Sequence, residues 1–177
     1  TKDLVRFDYH DREDMFDGVS YNKGGSILHM LRNYLGDDAF FAGLNDYLKT
    51  NEYGTGEAQQ LRLSLEKISG KDLNWFFNQW YYGKGHPKIS YTSTFEPVKK
   101  QVTVTINQTQ IGESFQFPLA IDVFQNGKAT RQNVWVSAKE KNNFTFTVSK
   151  SPDLININAD GTLLAEFAET KTPEQYF

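Results

Sequence analysis

The sequence predicts an α+β protein, with a small helical bundle first and an antiparallel β-sandwich after it. Two observations lead to this prediction: apolar residues recur with a helical period up to about Tyr82, and with a period of two from Pro87 onward. A third observation is the short segment 83–87 between the two regions, which contains two glycines and ends in proline. The sequence therefore places residues 1–84 in a helical domain and residues 85–177 in a β-sandwich domain.

Four apolar stripes predict four short helices in the first domain. Each stripe follows the i, i+3, i+4, i+7 spacing of a helix that buries one face. The stripes are Ile27, Met30, Leu31, Tyr34 and Leu35; Phe40, Phe41, Leu44, Tyr47 and Leu48; Ala58, Leu61, Leu65 and Ile68; and Leu73, Phe76, Phe77, Trp80 and Tyr81.

Turn residues mark the ends of these helices. Gly36 and Gly70 stand where a helix is expected to end in a left-handed cap. Asp37 and Asp72 follow them as N-cap candidates, because a carboxylate accepts hydrogen bonds from the free backbone N–H groups of a first turn.

Alternation of apolar and polar residues predicts about seven short strands in the second domain, a number typical of a β-sandwich. Asn126 and Gly127 predict a tight hairpin, because both central positions of a type I′ turn require positive φ. The alternating positions are Ile89 to Phe95, Val102 to Ile106, Phe115 to Val123, Val134 and Val136, Phe144 to Val148, Ile155 and Ile157, and Leu163 to Phe167.

Composition excludes several classes of protein. The 177 residues carry a net charge of −3 without a basic cluster, which argues against nucleic-acid binding. No apolar run reaches the roughly 20 residues that cross a bilayer, so no transmembrane segment is predicted. Cysteine is absent, which excludes disulfides and thiolate chemistry within this chain. The helical part has more apolar surface than it can bury alone, which predicts that further protein packs against it.

The three histidines do not have the spacing of a zinc helix. His10, His29 and His86 are never paired at i, i+4, so the chain contains no HExxH motif. We interpret His29 as structural and His86 as a hydrogen-bonding residue of the loop between the domains. The acidic stretch 8–14 matches no ligand spacing and is interpreted as negative charge before a helix N-terminus. No metal ligand is predicted in this chain.

One segment of the sequence indicates a particular protein family more specifically than the composition does. Residues 20–25 are Ser-Tyr-Asn-Lys-Gly-Gly, followed by Leu-His-Met-Leu at 28–31 and Leu-Gly-Asp-Asp-Ala-Phe at 35–40. This order resembles the gluzincin aminopeptidases of the alanyl-aminopeptidase and leukotriene-hydrolase type, which carry Tyr-Glu-Lys-Gly before an apolar helix. The resemblance continues through Gly-Lys-Asp-Leu at 70–73 and Gly-His-Pro at 85–87, and more loosely into the strands. Asn22 replaces the glutamate of the family motif.

The resemblance implies the end of the catalytic domain of a zinc aminopeptidase, followed by its β-sandwich. Such enzymes hydrolyse N-terminal residues from peptides. Their zinc ligands and general base would lie upstream of Thr1, so the chain alone is expected to bind no zinc and to be inactive. Its expected partners are the peptide substrate and the upstream portion of the catalytic domain. Family habit also favours an exported, periplasmic or secreted, bacterial protein.

By the same resemblance, Tyr21 is the catalytic residue that this chain supplies. In the family, this tyrosine points its hydroxyl at the scissile carbonyl, whose oxygen becomes an oxyanion during hydrolysis. A phenol stays protonated at neutral pH and can donate a hydrogen bond to that oxygen. Taken from the residues alone, Tyr21 fits an ordinary buried tyrosine at a helix start. Lys23 is expected to face solvent or form an ion pair, and Gly24 and Gly25 to let the backbone pass close to a neighbouring element.

Two other classes of function stay open. A non-catalytic relative could use the same fold as a scaffold or peptide-binding protein, because fold does not fix function. An intact upstream HExxH motif would distinguish the enzyme from such a relative. The chain could also be a free-standing β-sandwich binding module, although the apolar excess of the helical part argues against this.

Overall fold

The structure is a computed structural model that describes residues 3–6 and 10–168. Asp8 and Tyr9, at the start of the acidic stretch, lie outside the described residues. The chain divides into two compact units, residues 1–85 and 86–177. The first consists of helices and the second of strands, so the fold is α+β, as the sequence predicts.

Within its described residues, the helical unit contains four α-helices, one 3-10 helix and two π-helical turns. A 3-10 helix, Arg12–Met15, and a π-helical turn, Val19–Lys23, precede the first α-helix, and a second π-helical turn, Phe77–Tyr81, continues the last one. The apolar spacing predicts these regions as helical but does not predict the wider π geometry. The α-helices are α1 (Gly24–Leu35), α2 (Asp37–Thr50), α3 (Ala58–Ser69) and α4 (Asn74–Phe76).

The predicted stripe of α1 is buried at its centre, but the stripe of α2 is buried only in part. Phe40 is buried, whereas Phe41 and Leu48 are 52% and 65% exposed. Gly43 makes the close contact instead, because a Cβ atom at this position would lie 2.6 Å from Cδ2 of Leu65 in α3. Helix spacing shows which residues share a face but not which of them meets a neighbour, so the prediction of one continuous buried stripe was wrong for α2.

Two of the four predicted caps form and two do not. Gly36 ends α1 with φ 86° and ψ 157°, outside the left-handed helical region, so the prediction of a left-handed cap there was wrong. Gly70 ends α3 in the left-handed conformation, with φ 68° and ψ 8°. Asp72 accepts a hydrogen bond from the backbone N–H of Asn74 at 2.9 Å. Asp37, in contrast, accepts two hydrogen bonds from the guanidinium of Arg32, at 2.8 and 2.7 Å, and leaves the helix N-terminus uncapped by its side chain. A bidentate charged partner competes well with a cap, so that prediction was wrong.

The described part of the second unit, residues 86–168, contains seven strands in two sheets. The sheet orders are β5-β2-β1-β7 and β4-β3-β6. All pairs are antiparallel except β1 with β7, which is parallel and differs from the predicted arrangement. The strands are β1 (Lys88–Glu96), β2 (Gln101–Gln108), β3 (Phe117–Gln125), β4 (Lys128–Val136), β5 (Lys141–Thr147), β6 (Leu154–Ile157) and β7 (Glu166–Ala168).

Local sequence signals account for the register of this unit. Asn126 and Gly127 have φ values of 54° and 70°, and Gln125 pairs with Lys128 across the turn, as the predicted hairpin requires. The apolar positions of β2 are buried, in step with the period of two. The two sheets are also linked directly, because the hydroxyl of Tyr91 donates a hydrogen bond to the carbonyl of Ile155 at 3.0 Å.

A buried carboxylate in β3 forms a charged pair with β4. Asp122 is 6% exposed and accepts two hydrogen bonds from Arg131 in β4, both at 2.8 Å. These hydrogen bonds hold the pKa of Asp122 below its ordinary value of 3.8. A carboxyl whose pKa is lowered by folding contributes stability above its unfolded pKa, and this contribution is lost as the pH falls through the folded pKa.

We therefore expect Arg131→Gln to lower the free energy of unfolding at pH 7 by about 1–3 kcal/mol, because it leaves a buried charge without its main partner. The difference between the two proteins should shrink as the pH falls below the ordinary value of 3.8. Urea titrations at several pH values measure it. Lys150→Gln is the control, since its pair with Asp153 is about half exposed and should contribute less than about 1 kcal/mol. A pH-independent difference for Arg131→Gln would contradict the prediction.

Candidate active site

Tyr21 lies in the π-helical turn Val19–Lys23, which leads directly into α1. Its side chain is 66% exposed in this chain, so the interpretation as an ordinary buried tyrosine is wrong. Its backbone N–H donates to the carbonyl of Asp17 at 3.2 Å, and its ring centre lies 6.2 Å from that of Phe16. The fold therefore presents the phenol to the outside of the unit.

A cavity of about 660 Å³ lies beside Tyr21 within the helical unit. Most of its wall is apolar, which is typical of sites that bind organic ligands or extended chains. Most of the wall comes from α1, α3, α4 and the π-helical turns before α1 and after α4. Residues 3–6, α2 and the loop before α3 each add one residue. The wall includes Leu4, Tyr21, Leu28, Leu31, Leu61, Phe76 and Tyr81.

Side-chain hydroxyl groups of Ser20, Tyr21, Tyr47 and Tyr81 lie in the wall of this cavity. Burial raises the pKa of Tyr81 above its ordinary value, with smaller contributions from Tyr82 and Tyr47. Tyr81 thus stays protonated across the physiological range and can donate a hydrogen bond. Tyr47 lies against Gly56, where any Cβ atom would collide with the Tyr47 hydroxyl. Glycine at position 56 is therefore required for this arrangement of the cavity wall.

The motif residues after Tyr21 differ from expectation. Lys23 is half-buried rather than solvent-facing, and its Nζ donates to the carbonyl of Gly85 at 3.4 Å. Burial lowers the pKa of Lys23, and the negative charge of Asp3 acts in the opposite direction. A Cβ atom at Gly24 would lie 3.8 Å from the nearest described atom, and at Gly25 none lies within 4 Å. The expected close backbone approach at these glycines is thus not seen among the described residues.

The described residues do not fit a zinc site. Within residues 3–6 and 10–168, no three histidine or acidic side chains converge on a point that could hold a metal ion. His29 is exposed on α1, with its Nε2 3.2 Å from the amide nitrogen of Asn33. His86 lies 2.7 Å from a carboxylate oxygen of Glu166, which confirms its hydrogen-bonding role. Across the same described residues, every helix is too short or too polar to span a bilayer.

Sequence reasoning missed the residues that hold the turn of Tyr21. Arg6 and Asp17 form an ion pair at 2.7 Å across 11 residues of sequence. No local pattern marks Arg6, because its partner is reached only through the folded chain. The only sequence signal for Asp17 is its type, since Asp two or three residues before a helix often caps it.

Comparison with known proteins identifies relatives that match most of the chain. Residues 5–80 match the peptidase family M1 domain. The chain is 29% identical over 158 residues to probable aminopeptidase 1 of Sulfurisphaera tokodaii and 27% identical over 155 residues to a leucyl aminopeptidase of Saccharolobus solfataricus. Each match covers 87% of this chain but 19% of the relative, so the chain spans about a fifth of these relatives' length.

A solved structure shares the fold. The crystal structure of Legionella pneumophila aminopeptidase A in complex with aspartic acid superposes with a TM-score of 0.84 at 18% identity. The match covers 97% of this chain and 20% of that one, so both the helical and the strand units have counterparts there. Residues 5–80 thus belong to peptidase family M1, and the aminopeptidase relatives agree with the resemblance of the motif around Tyr21 to the gluzincin aminopeptidases.

Proposed function

We propose that this chain is part of a zinc-dependent aminopeptidase that removes N-terminal residues from peptides, and that Tyr21 stabilises the oxyanion of the reaction. The observation that carries the proposal is the position of Tyr21: an exposed phenol on the wall of a mostly apolar cavity, within the motif shared with the M1 aminopeptidases. We assign residues 1–84 to the catalytic domain and residues 85–177 to a β-sandwich that follows it.

The chemistry assigned to Tyr21 is hydrogen-bond donation. When water attacks a peptide carbonyl, a C–O bond forms and the carbonyl oxygen gains negative charge. The phenol O–H donates a hydrogen bond to this oxygen without losing its proton. This lowers the barrier because the hydrogen bond is stronger in the transition state than in the bound substrate. The oxyanion then collapses and the C–N bond breaks, while the proton given up by the attacking water passes to the leaving amine nitrogen; the products are the free N-terminal residue and the shortened peptide.

The zinc of the family is assigned to residues outside this chain, because the described residues do not offer a ligand set. The same full-length protein would also cover the helical unit. Tyr21 and Leu28 are 66% and 41% exposed beside the cavity, and an apolar wall of this kind is suited to packing against the rest of a catalytic domain. The partners proposed for this chain are therefore the upstream catalytic portion and the peptide substrate.

Hydrolysis of aminoacyl coumarin amides by the full-length protein tests the proposal. We expect cleavage of substrates with a free α-amino group, no cleavage of their N-acetylated forms, and loss of activity on chelation that zinc restores. The chain 1–177 alone should cleave none of them. A full-length protein that binds peptides but holds no zinc and cleaves no substrate would instead be a scaffold.

A further inference from the structure

A network of polar side chains lies directly beneath the turn that carries Tyr21. Arg6 donates from Nη1 to Oδ2 of Asp17 at 2.7 Å and from Nη2 to Oδ1 at 3.3 Å. The same Nη2 donates to the hydroxyl of Ser20 at 3.0 Å. The side chains of Arg6 and Asp17 are only 14% and 22% exposed, so this pair is shielded more than an ordinary surface ion pair.

Asp17 also binds the backbone of the turn. Its Oδ1 accepts hydrogen bonds from the N–H groups of Val19 at 3.1 Å and Ser20 at 2.9 Å, and its carbonyl accepts from the N–H of Tyr21 at 3.2 Å. Three successive N–H groups of the turn are thus bound to one residue. A carboxylate that accepts from free N–H groups at the start of a helix fixes the direction in which that helix begins.

Ser20 connects the turn to the segment before it. Its hydroxyl donates to the carbonyl of Met15, at the end of the 3-10 helix, at 2.6 Å. The turn is therefore held at Asp17 by Arg6 and at Ser20 by both Arg6 and Met15. These contacts join residues that are 5 to 14 positions apart in the sequence.

The side chain of Tyr21 has little packing of its own to fix its direction. It is 66% exposed, and the ring beside it, Phe16, is 68% exposed. The backbone of the turn therefore sets the direction of the Cα–Cβ bond of Tyr21, and with it the region that the hydroxyl can reach. Hydrogen bonds from Arg6 and from the N–H of Ser20 hold the pKa of Asp17 well below its usual range, so its carboxylate is charged throughout the neutral range.

We propose that Asp17, held by Arg6 and Ser20, is a positioning residue that aims the Tyr21 hydroxyl at the reacting carbonyl. This inference rests on the proposed function of Tyr21. Asp17 acts through the turn and does not touch the substrate. Because a displacement of about 1 Å at a reacting group can lower the rate by about a hundred-fold, a loosened turn should lower kcat more than it raises KM.

The test is a double-mutant cycle in the full-length protein. We expect Asp17→Asn to lower kcat by about ten- to a hundred-fold with little change in KM. In a Tyr21→Phe background, the same change should alter kcat by less than about two-fold, because the hydroxyl that it positions is already gone. Arg6→Lys should retain more activity than Arg6→Gln. Glu13→Gln is the matched control, since the Glu13 side chain is 72% exposed and its nearest charged partner, Arg12, is 3.6 Å away, which is a long distance for an ion pair.

Amide hydrogen exchange gives a readout that is independent of activity. Peptides that cover residues 17–23 should exchange faster in Asp17→Asn than in the parent or in Glu13→Gln, because the N–H groups of Val19 and Ser20 lose their charged acceptor and the turn loses its ion pair with Arg6. If Asp17→Asn does not fold, Ser20→Ala takes its place, as it removes the contacts to Arg6 and Met15 without removing a charge.

The possible failures can be told apart. If Tyr21→Phe is fully active, the proposed function of Tyr21 is wrong. If Tyr21→Phe loses activity while Asp17→Asn keeps it, or if the two losses multiply, Asp17 does not act through Tyr21 and the positioning role is wrong. Unchanged exchange in the turn would equally overturn it.

Discussion

Tyr21→Phe is expected to lower kcat of the full-length protein by about a hundred- to a thousand-fold while zinc content and folding stay unchanged. The substitution removes one hydroxyl from a side chain that is 66% exposed in this chain, so it should cost little in packing. Loss of one hydrogen-bond donor to an oxyanion typically raises the barrier by about 2.7–4 kcal/mol. KM should change much less, because the hydrogen bond strengthens only in the transition state.

Steady-state kinetics on aminoacyl coumarin amides, with zinc measured in each preparation, give the comparison. Tyr53→Phe is the matched control: it removes the same hydroxyl from a fully exposed tyrosine in the turn after α2, and it should leave kcat unchanged. Equal activity of Tyr21→Phe and the parent would show that Tyr21 is structural. A parallel fall in kcat for Tyr53→Phe would mean that the assay reports something other than the oxyanion contact.

Trp80→Ala is expected to produce the largest loss of stability in the helical unit, about 3–5 kcal/mol in the free energy of unfolding. Trp80 is 1% exposed in the π-helical turn Phe77–Tyr81, and its ring centre lies 6.4 Å from that of Phe76. Truncation of a buried aromatic side chain loses both its transfer free energy and its contacts with the surrounding side chains.

Thermal and urea unfolding, followed by helical circular dichroism, measure this effect. Tyr82→Ala provides the comparison, since Tyr82 is an aromatic residue two positions away that is 47% exposed, and it should cost less than about 1.5 kcal/mol. Similar losses for the two variants would mean that the core of the helical unit does not centre on Trp80.

The sequence predicted most of the architecture because its signals are local. Apolar residues three and four apart identify the stripe of α1, and those two apart identify β2, from side-chain direction alone. Gly70 and the Asn126–Gly127 turn were predictable for the same reason, since each needs a positive φ that few residues adopt. The π-helical turns were not, because a five-residue hydrogen-bonded turn leaves the same apolar spacing as an α-helix over so short a segment.

In the candidate site, too, some residues were predictable from the sequence and others were not. Tyr21 was found through the order of motif residues around it, and the structure then placed it beside a cavity. Arg6 and Ser20, which hold its turn, carry no signal in the sequence, and Tyr47 and Tyr81 had been assigned only to helix stripes. The apolar spacing predicted which face of its helix each of these tyrosines lies on, but not that both line the same cavity.

The sequence by itself thus determined the α+β class and the order of helices and strands, and it supplied Tyr21 as the candidate site residue. Tertiary structure alone decided that Asp37 binds Arg32 instead of capping α2, that Gly43 lies against Leu65 of α3, that β7 joins β1 in parallel, and that Arg6 reaches Asp17. Backbone conformation follows from near neighbours through sterics and side-chain period. The choice among competing partners depends on which groups the folded chain brings within hydrogen-bonding distance, and a linear pattern does not contain that information.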